Sequence, residues 1–265
     1  MSVKLGIIGG GVMGEALLSG LIARQIYQAS EILVSEPMPQ RRDLLAQQYE
    51  VALTTDNHAA AAATEVLLLA IKPQVFAAVA ADLAGVKVPV VVSILAGVPL
   101  SKLEAAFPFR PVVRVMPNTP AMVGAGISAI APGKHVSPDQ VEMVKGILSA
   151  VGEVVEVPEY LMDAVTGLSG SGPGYVAIVI EALADGGVCA GLPRAIASQL
   201  AIQTVLGTAQ LLQETGLHPA QLKDRVTSPG GTTIAAIAKL EEAGFRSALI
   251  EAVRESSRRS QELGG

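Results

Sequence analysis

A glycine-rich turn between a strand and a helix constrains this chain more than any other feature. Residues 4–8 form a short apolar run typical of a strand, and residues 15–23 carry apolar side chains at helical spacing. Between them, Gly9, Gly11 and Gly14 match the pattern G-x-G-x-x-G. In that context glycines allow a tight turn and let backbone amides approach a pyrophosphate at a helix N-terminus. The sequence therefore predicts a dinucleotide-binding domain here.

Strands and helices alternate beyond that turn. Apolar runs predict further strands at residues 31–35, 66–71, 88–94, 112–116 and 154–157. Periodic patterns between them predict helices, for example over 41–49 and 137–149. Near-continuous aliphatic runs are typical of strands that are covered on both faces, as in parallel sheets. The first half of the chain is therefore predicted to be a Rossmann-like, doubly wound α/β domain with a parallel sheet.

Two helix starts carry the pattern of a capping box, in which a serine and a residue three positions later satisfy the first free amides of a helix. Ser101 with Glu104 fits this pattern, and so does Ser137 with Gln140, where Pro138 strengthens the signal. We expect a serine N-cap at both positions.

The second half of the chain is predicted to be entirely helical. Helices are expected over 173–190 and 193–215, after Pro219, after Thr232 and from Arg246. The run 195–213 has no acidic or basic residue, which is too apolar for a lone surface helix and indicates burial against a second subunit. The predicted organisation is a coenzyme-binding domain over 1–160 and an all-helical dimerisation domain over 161–265.

Composition excludes several classes of partner. Lys and Arg number 19 against 24 Asp and Glu, and the net charge of −5 is spread without a basic stripe, so nucleic acid is not expected. The single cysteine, Cys189, lies in no His or Cys cluster, which excludes a metal site and favours a reducing compartment. Because the N-terminus also lacks the pattern of a secretory signal, we expect a cytoplasmic protein.

The mean hydropathy of +0.48 raises the question of membrane spans. The longest uncharged runs cover residues 115–133, with three prolines, and 195–213, with four glutamines. A lipid-facing helix of about 20 residues must be nearly free of such groups. No membrane association is therefore expected.

Candidate coenzyme residues follow the glycine turn and the strand ends. Glu36, at the end of the second predicted strand, is placed to accept hydrogen bonds from ribose hydroxyls, which favours NAD. Ser35, Arg41 and Arg42 offer a 2′-phosphate site instead, so NADPH and NADH both stay open. The residues predicted to bind the coenzyme are Gly9, Gly11, Val12, Met13, Gly14, Ser35, Glu36, Asn57, Ala70, Lys72, Pro73, Ala96, Gly97 and Asn118.

Three of these residues have a structural alternative. Asn57 has the position and chemistry to cap a helix. Lys72 fits a solvated strand end, and Asn118 fits a residue that bonds its own turn.

Two runs rich in Ser, Thr and Gly lie in the helical half. Residues 166–173 and 227–233 each precede a predicted helix, so their amides and hydroxyls are suited to hold an anion such as a carboxylate. Ordinary capped turns are the alternative interpretation. Neither Ser169 nor Ser171 has the G-x-S-x-G spacing of a hydrolase nucleophile.

Taken in order along the chain, five motifs resemble those of the pyrroline-5-carboxylate reductases: residues 8–14, 70–73, 116–120, 163–173 and 222–233. The likeness covers essentially the whole chain. It implies transfer of hydride from NADPH or NADH to the C=N carbon of a cyclic imine that bears a carboxylate, which is the last step of proline synthesis. It also implies a homodimer through the helical half, with larger homo-oligomers in many members.

The resemblance further assigns roles in the substrate site. Thr233 would hydrogen-bond the imine nitrogen as the catalytic residue, and Glu159 would help to position the substrate. The residues implied to hold the carboxylate are Ser171, Gly172, Gly231 and Thr232. Glu36 and Arg225 depart from common family residues, and Glu36 puts the usual NADPH preference in doubt.

Two other functions compete with this interpretation. A β-hydroxyacid dehydrogenase would need a lysine on the first helix of the second domain, whereas that half has only Lys223 and Lys239, in other contexts. A nucleotide-sensing protein without turnover would keep the fold, because fold does not imply function. It would have no evident reason to keep both serine- and glycine-rich runs.

Overall fold

The computed structural model describes residues 2–264, which divide into two compact units. The first unit contains the chain up to Ser171 together with the residues from Glu255 onward, and the second is Gly172–Arg254. The division thus falls later than the expected domain boundary after residue 160. It also assigns the C-terminal end of the last helix to the first unit.

The first unit is built on one sheet, which within residues 2–264 has eight strands in the order β3-β2-β1-β4-β5-β6-β7-β8. The strands are β1 (Leu5–Ile8), β2 (Ile32–Ser35), β3 (Ala52–Thr54), β4 (Val66–Leu69), β5 (Val90–Ser93), β6 (Val112–Met116), β7 (Gly126–Pro132) and β8 (Gly152–Glu156). Neighbouring strands are parallel except β6 and β7, which are antiparallel. The order reverses between β1 and β4, the place where doubly wound sheets bind ligands.

Helices connect the strands and make up the second half of the chain. Those before the second unit are α1 (Val12–Ala23), α2 (Pro39–Tyr49), α3 (Asn57–Ala61), α4 (Phe76–Asp82), α5 (Leu100–Ala106), α6 (Pro138–Leu148) and α7 (Met162–Val165). Those that follow are α8 (Gly172–Cys189), α9 (Arg194–Thr215), α10 (Pro219–Arg225), α11 (Thr232–Glu242) and α12 (Phe245–Gly264).

Two hydrophobic cores lie on opposite faces of the sheet. Because side chains alternate along a strand, Leu5 and Ile7 of β1 enter one core and Ile8 enters the other. Both cores take buried aliphatic residues from β4 and β5 as well. The predicted doubly wound α/β domain with strands covered on both faces is therefore confirmed.

The sequence patterns missed two strands and misplaced one cap. β3 is three residues long and β7 follows a proline-rich turn, and neither was expected. Ser137 caps α6 in a capping box with Gln140 as predicted. The capping box at Ser101 is wrong, because α5 begins at Leu100 and its N-cap is Pro99, two residues before Ser101.

The serine- and glycine-rich run 166–173 also differs from its prediction as an open turn. Residues 162–189 are helical throughout, since α7 leads into a π-helical turn at Thr166–Gly170 and then into α8. The backbone amide of Ser171 donates to the Thr166 carbonyl at 2.9 Å. The run 166–173 therefore leads into the start of α8 at Gly172, but the Ser171 amide is not free to hold an anion. Residues Thr166–Gly170 form a π-helical turn, a feature often found at functional sites.

The second unit has little core of its own. α8 and α9 pack together, but the buried cluster between them consists of Ala184, Ala197 and Ala201. By length and composition, the helical segments 159–189 and 194–215 are both apolar enough to cross a membrane, with mean hydropathy 1.2. In the single chain, only 6% of the apolar 18-residue stretch of the first segment and 11% of that of the second are buried.

Candidate active site

The three motif glycines adopt the geometry that a dinucleotide-binding turn requires. Gly9 has φ +104°, and a side chain there would meet the Ala70 carbonyl oxygen at 2.6 Å. A side chain on Gly14 would stand 2.4 Å from the Gly9 carbonyl oxygen, so both positions need glycine for packing. Gly11, in contrast, has nothing within 4 Å, and it is the N-cap of α1 without any side-chain cap. This open helix start fits a pyrophosphate held by backbone amides.

Glu36 stabilises this turn through a hydrogen bond from the backbone. Its side chain is 6% exposed, and its Oε2 accepts a hydrogen bond from the Gly10 amide at 2.8 Å. The other oxygen accepts from the Met38 amide at 2.9 Å. The carboxylate predicted to bind ribose hydroxyls therefore joins the glycine turn to the start of α2.

The two arginines predicted near a 2′-phosphate are also engaged by the protein. Arg41 donates to the Gly10 carbonyl from Nε at 2.9 Å and pairs with Glu15 at 2.7 Å. Arg42 donates to the Glu36 and Pro37 carbonyls at 2.8 and 2.9 Å. These contacts stabilise the turn and the β2–α2 connection, which was not foreseen from the sequence.

Glu15 lies at the centre of a small charged cluster beside this turn. Tyr49 donates to its Oε1 at 3.1 Å, while Arg41 contacts its Oε2. Partial burial, followed by the hydrogen bond to Glu15, raises the pKa of Tyr49 above its ordinary value. Tyr49 therefore stays a neutral hydrogen-bond donor.

Asn57 does not cap the helix that it begins. Asp56 is the N-cap of α3 and accepts from the His58 amide at 2.9 Å. The Asn57 side chain instead accepts from the Ser35 hydroxyl at 2.8 Å and donates to Asp82 at 3.0 Å. Ser35 is buried at 2% exposure, and its hydroxyl is engaged with Asn57. The capping alternative for Asn57 is thus wrong.

The remaining coenzyme candidates of the first unit lie where β4, β5 and β6 end. Because β1, β4, β5 and β6 are consecutive parallel strands of the sheet, their carboxyl ends share one edge with the glycine turn. Ala70, Lys72 and Pro73 follow β4, with Lys72 and Pro73 exposed, and exposed Ala96 and buried Gly97 follow β5. The structure therefore brings these predicted residues to the edge that carries Gly9 to Gly14.

Asn118 belongs to the same edge but is largely used by the fold. It is 9% exposed, and its Oδ1 accepts from the Ile127 amide at 2.9 Å. This bond fastens the start of β7 across the 3₁₀ turn Thr119–Val123. Asn118 therefore does not bond only its own turn, because its partner Ile127 lies nine residues further along the chain.

Glu159 anchors the beginning of the helical segment in the first unit. Its Oε1 accepts from the Leu100 amide at 2.5 Å and from Arg114 at 3.2 Å. The Arg114 side chain is only 8% exposed, whereas that of Glu159 is 35% exposed. Arg114 was not predicted as a site residue, although a lone charged residue inside the apolar strand β6 is a signal for a buried partner. The observed contacts of Glu159 are structural.

The substrate candidates fall in both units. Ser171, in the first unit, has its hydroxyl 2.8 Å from the hydroxyl of Ser256. Gly172, Gly231, Thr232 and Thr233 belong to the second unit. There, Gly231 is the N-cap of α11 and no side chain caps this helix, so its first amides are available. The Thr233 hydroxyl is partly exposed and makes no hydrogen bond among residues 2–264.

Comparison with known proteins connects these features. The family model described as pyrroline-5-carboxylate reductase dimerisation matches residues 159–263, and the one described as NADP oxidoreductase, coenzyme F420-dependent, matches residues 4–97. The pyrroline-5-carboxylate reductase of Synechocystis sp. is 64% identical over 265 residues, covering 100% of this chain and 99% of the relative. The chain belongs to the pyrroline-5-carboxylate reductase family.

Solved structures agree with this membership. A pyrroline-5-carboxylate reductase from Coxiella burnetii superimposes with a TM-score of 0.91 at 34% identity, covering 100% of both chains. A Plasmodium falciparum pyrroline carboxylate reductase with NADP bound gives 0.89 at 30% identity, covering 99% of this chain and 98% of that one. The family resemblance and the Rossmann-like fold expected from the sequence are confirmed.

For this pyrroline-5-carboxylate reductase family member, two further expectations hold. The chain is an NAD(P)H-dependent oxidoreductase with a small-molecule substrate. Residues 159–263 form the dimerisation domain of a homodimer. The exposed apolar helices α8 and α9 lie within the residues that the dimerisation model matches.

Proposed function

We propose that this chain reduces 1-pyrroline-5-carboxylate to L-proline with hydride from NADPH or NADH, the last step of proline biosynthesis. The observation that carries the proposal is the full-length 64% identity to a pyrroline-5-carboxylate reductase. The glycine turn supports it independently, because Gly9 and Gly14 are sterically required while Gly11 is left open. A sequence that had lost coenzyme binding would be under no constraint to keep this arrangement.

The coenzyme is proposed to lie along the carboxyl edge of the sheet. Backbone amides at Gly11, Val12, Met13 and Gly14 would hold the pyrophosphate at the uncapped start of α1. Asn57, Ala70, Lys72, Pro73, Ala96, Gly97 and Asn118 would line the remaining length. Ser35 and Glu36 are proposed to act indirectly, through their hydrogen bonds to Asn57 and Gly10.

The substrate is proposed to be held by short polar segments. The Ser171 hydroxyl is suited to a carboxylate, as are amides and hydroxyls at Gly172, Gly231 and Thr232, with the uncapped N-terminus of α11 supplying favourable amides. The Thr233 hydroxyl would contact the imine nitrogen. Glu159 is proposed to support this site through its contact with the Leu100 amide.

The chemical demand on these residues is modest. A bound reduced nicotinamide supplies the hydride, and the protonated C=N carbon of the substrate is already electrophilic. The protein contributes by fixing the carboxylate, orienting the ring and excluding water. A hydroxyl at the nitrogen stabilises the cation before transfer and the amine afterwards, so no histidine or lysine base is required.

The assembly proposed for the active enzyme is a cytoplasmic homodimer that associates into a larger homo-oligomer. Leucine and isoleucine side chains on α8 and α9 are exposed in the single chain, including Ile178, Leu183, Leu200, Ile202 and Leu206. Burial of such side chains against a second subunit contributes the apolar contacts that the small alanine cluster of the second unit lacks.

The proposal is tested by the loss of NADPH or NADH absorbance when purified protein meets pyrroline-5-carboxylate at neutral pH. We expect imine-dependent oxidation, and its rates rank the two coenzymes. Thr233→Ala should lower kcat by about tenfold to a hundredfold if the hydroxyl assists at the nitrogen. Thr232→Ala serves as the matched control, because its proposed contact is to the carboxylate and should affect KM.

Two outcomes would favour other functions. Folded protein that binds coenzyme but oxidises neither NADPH nor NADH would support a nucleotide-sensing role. Oxidation of a β-hydroxyacid with NAD, without any activity on the imine, would support the dehydrogenase alternative.

A further inference from the structure

Two serines on one face of α12 hold the segment that precedes α8. Ser256 and Ser260 are four residues apart, so they project from the same side of the helix. The Ser256 hydroxyl lies 2.8 Å from the Ser171 hydroxyl. Ser260 is 5% exposed and donates to the Asp163 carboxylate at 2.6 Å. All four residues belong to the first unit.

The same end of α12 also reaches the loop after β5. Lys102 donates from Nζ to the Gly264 carbonyl at 2.7 Å. A side chain built on Gly97 would stand 3.5 Å from Leu263 Cβ, so the helix end is in close contact with this glycine. The C-terminal turns of α12 therefore contact two segments that carry proposed site residues, Gly97 and Ser171.

We propose that Ser256 is a positioning residue for the substrate carboxylate, acting through the hydroxyl of Ser171. This inference rests on the proposed function, in which Ser171 contacts that carboxylate. Ser260 has the supporting role of fixing the register of α12 against residues 163–171.

Either hydroxyl of the pair can donate this hydrogen bond, and Ser256 is the donor in the proposed arrangement. Ser171 uses its backbone amide in the helix, on the Thr166 carbonyl, so only its hydroxyl is left for a ligand. When Ser256 donates to the Ser171 oxygen, the Ser171 proton is free to point at an anion. Hydrogen bonds in such a chain polarise one another and strengthen the outer donor. A carboxylate would therefore meet a preoriented hydroxyl instead of one that rotates freely.

The test compares Ser256→Ala, Ser256→Thr and Ser257→Ala in the full-length protein. Ser257 lies next to Ser256 on α12, and its hydroxyl makes no hydrogen bond among residues 2–264, so it controls for the loss of a hydroxyl from this helix. The measurements are kcat, KM for pyrroline-5-carboxylate and the thermal midpoint. Coenzyme affinity is measured by NADPH fluorescence, which no tryptophan of this chain obscures.

We expect Ser256→Ala to raise KM for the imine by about threefold to tenfold, the range of one net hydrogen bond. NADPH affinity should change by less than about twofold, since neither serine of that hydrogen bond is among the proposed coenzyme residues. Ser256→Thr keeps the hydroxyl and should restore KM, and Ser257→Ala should match the wild type. Binding of L-proline to the NADP-loaded protein, followed by calorimetry, should weaken in parallel with KM.

Three results would overturn the inference. The first is an unchanged KM in Ser256→Ala in an otherwise active enzyme, which leaves the proposed function intact. The second is a parallel fall of thermal midpoint, kcat and NADPH affinity, which indicates a purely structural serine. Wild-type protein that neither turns over the imine nor binds L-proline would remove the proposed function and this inference together.

Discussion

The two units of the chain differ in how completely they bury their apolar residues. The first unit buries strand residues on both faces of its sheet, in two clusters that are complete within one chain. The second unit has a buried cluster of three alanines, while leucines and isoleucines of α8 and α9 stay exposed. A sheet with helices on both faces closes its own core, whereas a pair of apolar helices needs a further layer. The first unit therefore closes its core within one chain, and the second leaves apolar helix faces for a second subunit.

The largest effect is expected from placing charges on the exposed face of α9. Leu200→Asp combined with Leu206→Asp should yield monomers with at least a hundredfold lower activity, about 3 kcal/mol or more, because carboxylates would be buried without partners at the interface. Sedimentation equilibrium and the NADPH assay measure the two consequences.

The first unit offers a matched control for that variant. Leu44 on α2 is 41% exposed, similar to Leu206 at 48%. Leu44→Asp should leave both assembly and activity unchanged. Dimers that persist in the α9 double variant, or that are lost in Leu44→Asp, would contradict the assignment of the interface to the second unit.

The next effect separates stability from coenzyme binding within the glycine turn. Gly14→Ala should lower the free energy of unfolding by about 1–3 kcal/mol, because its Cβ would overlap the Gly9 carbonyl oxygen. Gly11→Ala should preserve stability but weaken NADPH binding by about tenfold or more, since it obstructs the close approach of phosphate. Denaturant unfolding and NADPH fluorescence measure the two quantities.

Gly146→Ala is the control for these glycine variants. Gly146 lies inside α6, and an added Cβ would meet nothing within 4 Å. We expect about 0.5–1 kcal/mol of added stability from alanine in a helix interior and no change in NADPH affinity. Equal losses of stability in Gly11→Ala and Gly14→Ala would show that the turn has no open side for a ligand.

A smaller effect is expected at the anchor between β6 and the start of the helical segment. Arg114→Met should lower the free energy of unfolding by about 1–3 kcal/mol, less than for a fully buried pair because Glu159 is partly exposed. Glu159→Gln should lower it by about 1 kcal/mol and still accept from the Leu100 amide. Both variants should keep KM for the imine within about twofold if the anchor only supports the fold.

The control for this pair is the double variant Arg114→Met with Glu159→Gln, which measures their coupling. A large rise of KM in Glu159→Gln at unchanged thermal midpoint would instead give Glu159 a direct role at the substrate.

The smallest effect concerns coenzyme preference. Because Glu36 accepts from the Gly10 and Met38 amides, Glu36→Gln should raise KM for NADPH and NADH together by about twofold to fivefold. The ratio of kcat/KM for the two coenzymes should stay within about threefold, since a supporting residue acts on the turn that both share. A shift of that ratio by tenfold or more would restore Glu36 as a ribose ligand. Asp43→Asn, on the exposed side of α2, removes the same charge and is the control.

Local sequence signals predicted the fold well where they were self-contained. Ser137, Pro138 and Gln140 specify a cap by themselves, and the structure confirms it. Ser101 and Glu104 match the same pattern, but α5 starts at Leu100, where the amide is held by Glu159 from 59 residues away. Glu104 instead accepts from the Lys134 amide. A distant partner thus overrode a local motif.

The candidate site shows the same limit. The sequence placed Ser35, Glu36 and Asn57 near the coenzyme. It gave no indication that Ser35 is hydrogen-bonded to Asn57, or Glu36 to the Gly10 amide. Those contacts arise only when β2, α1 and α3 come together at one sheet edge. The π-helical turn at Thr166–Gly170 was equally hidden, because glycine and serine suggest a break in a helix as readily as a distortion within one.

By itself, the sequence determined the alternation of strands and helices, the glycine turn and the family, since each of these depends on periodicity or on residues adjacent in the chain. Only the tertiary structure decided which polar side chains are left for ligands and which are used by the fold. Hydrogen-bond partners such as Glu36 with Gly10, or Ser256 with Ser171, are distant in sequence. Spacing along a chain does not encode such distances, and packing alone brings these groups within reach.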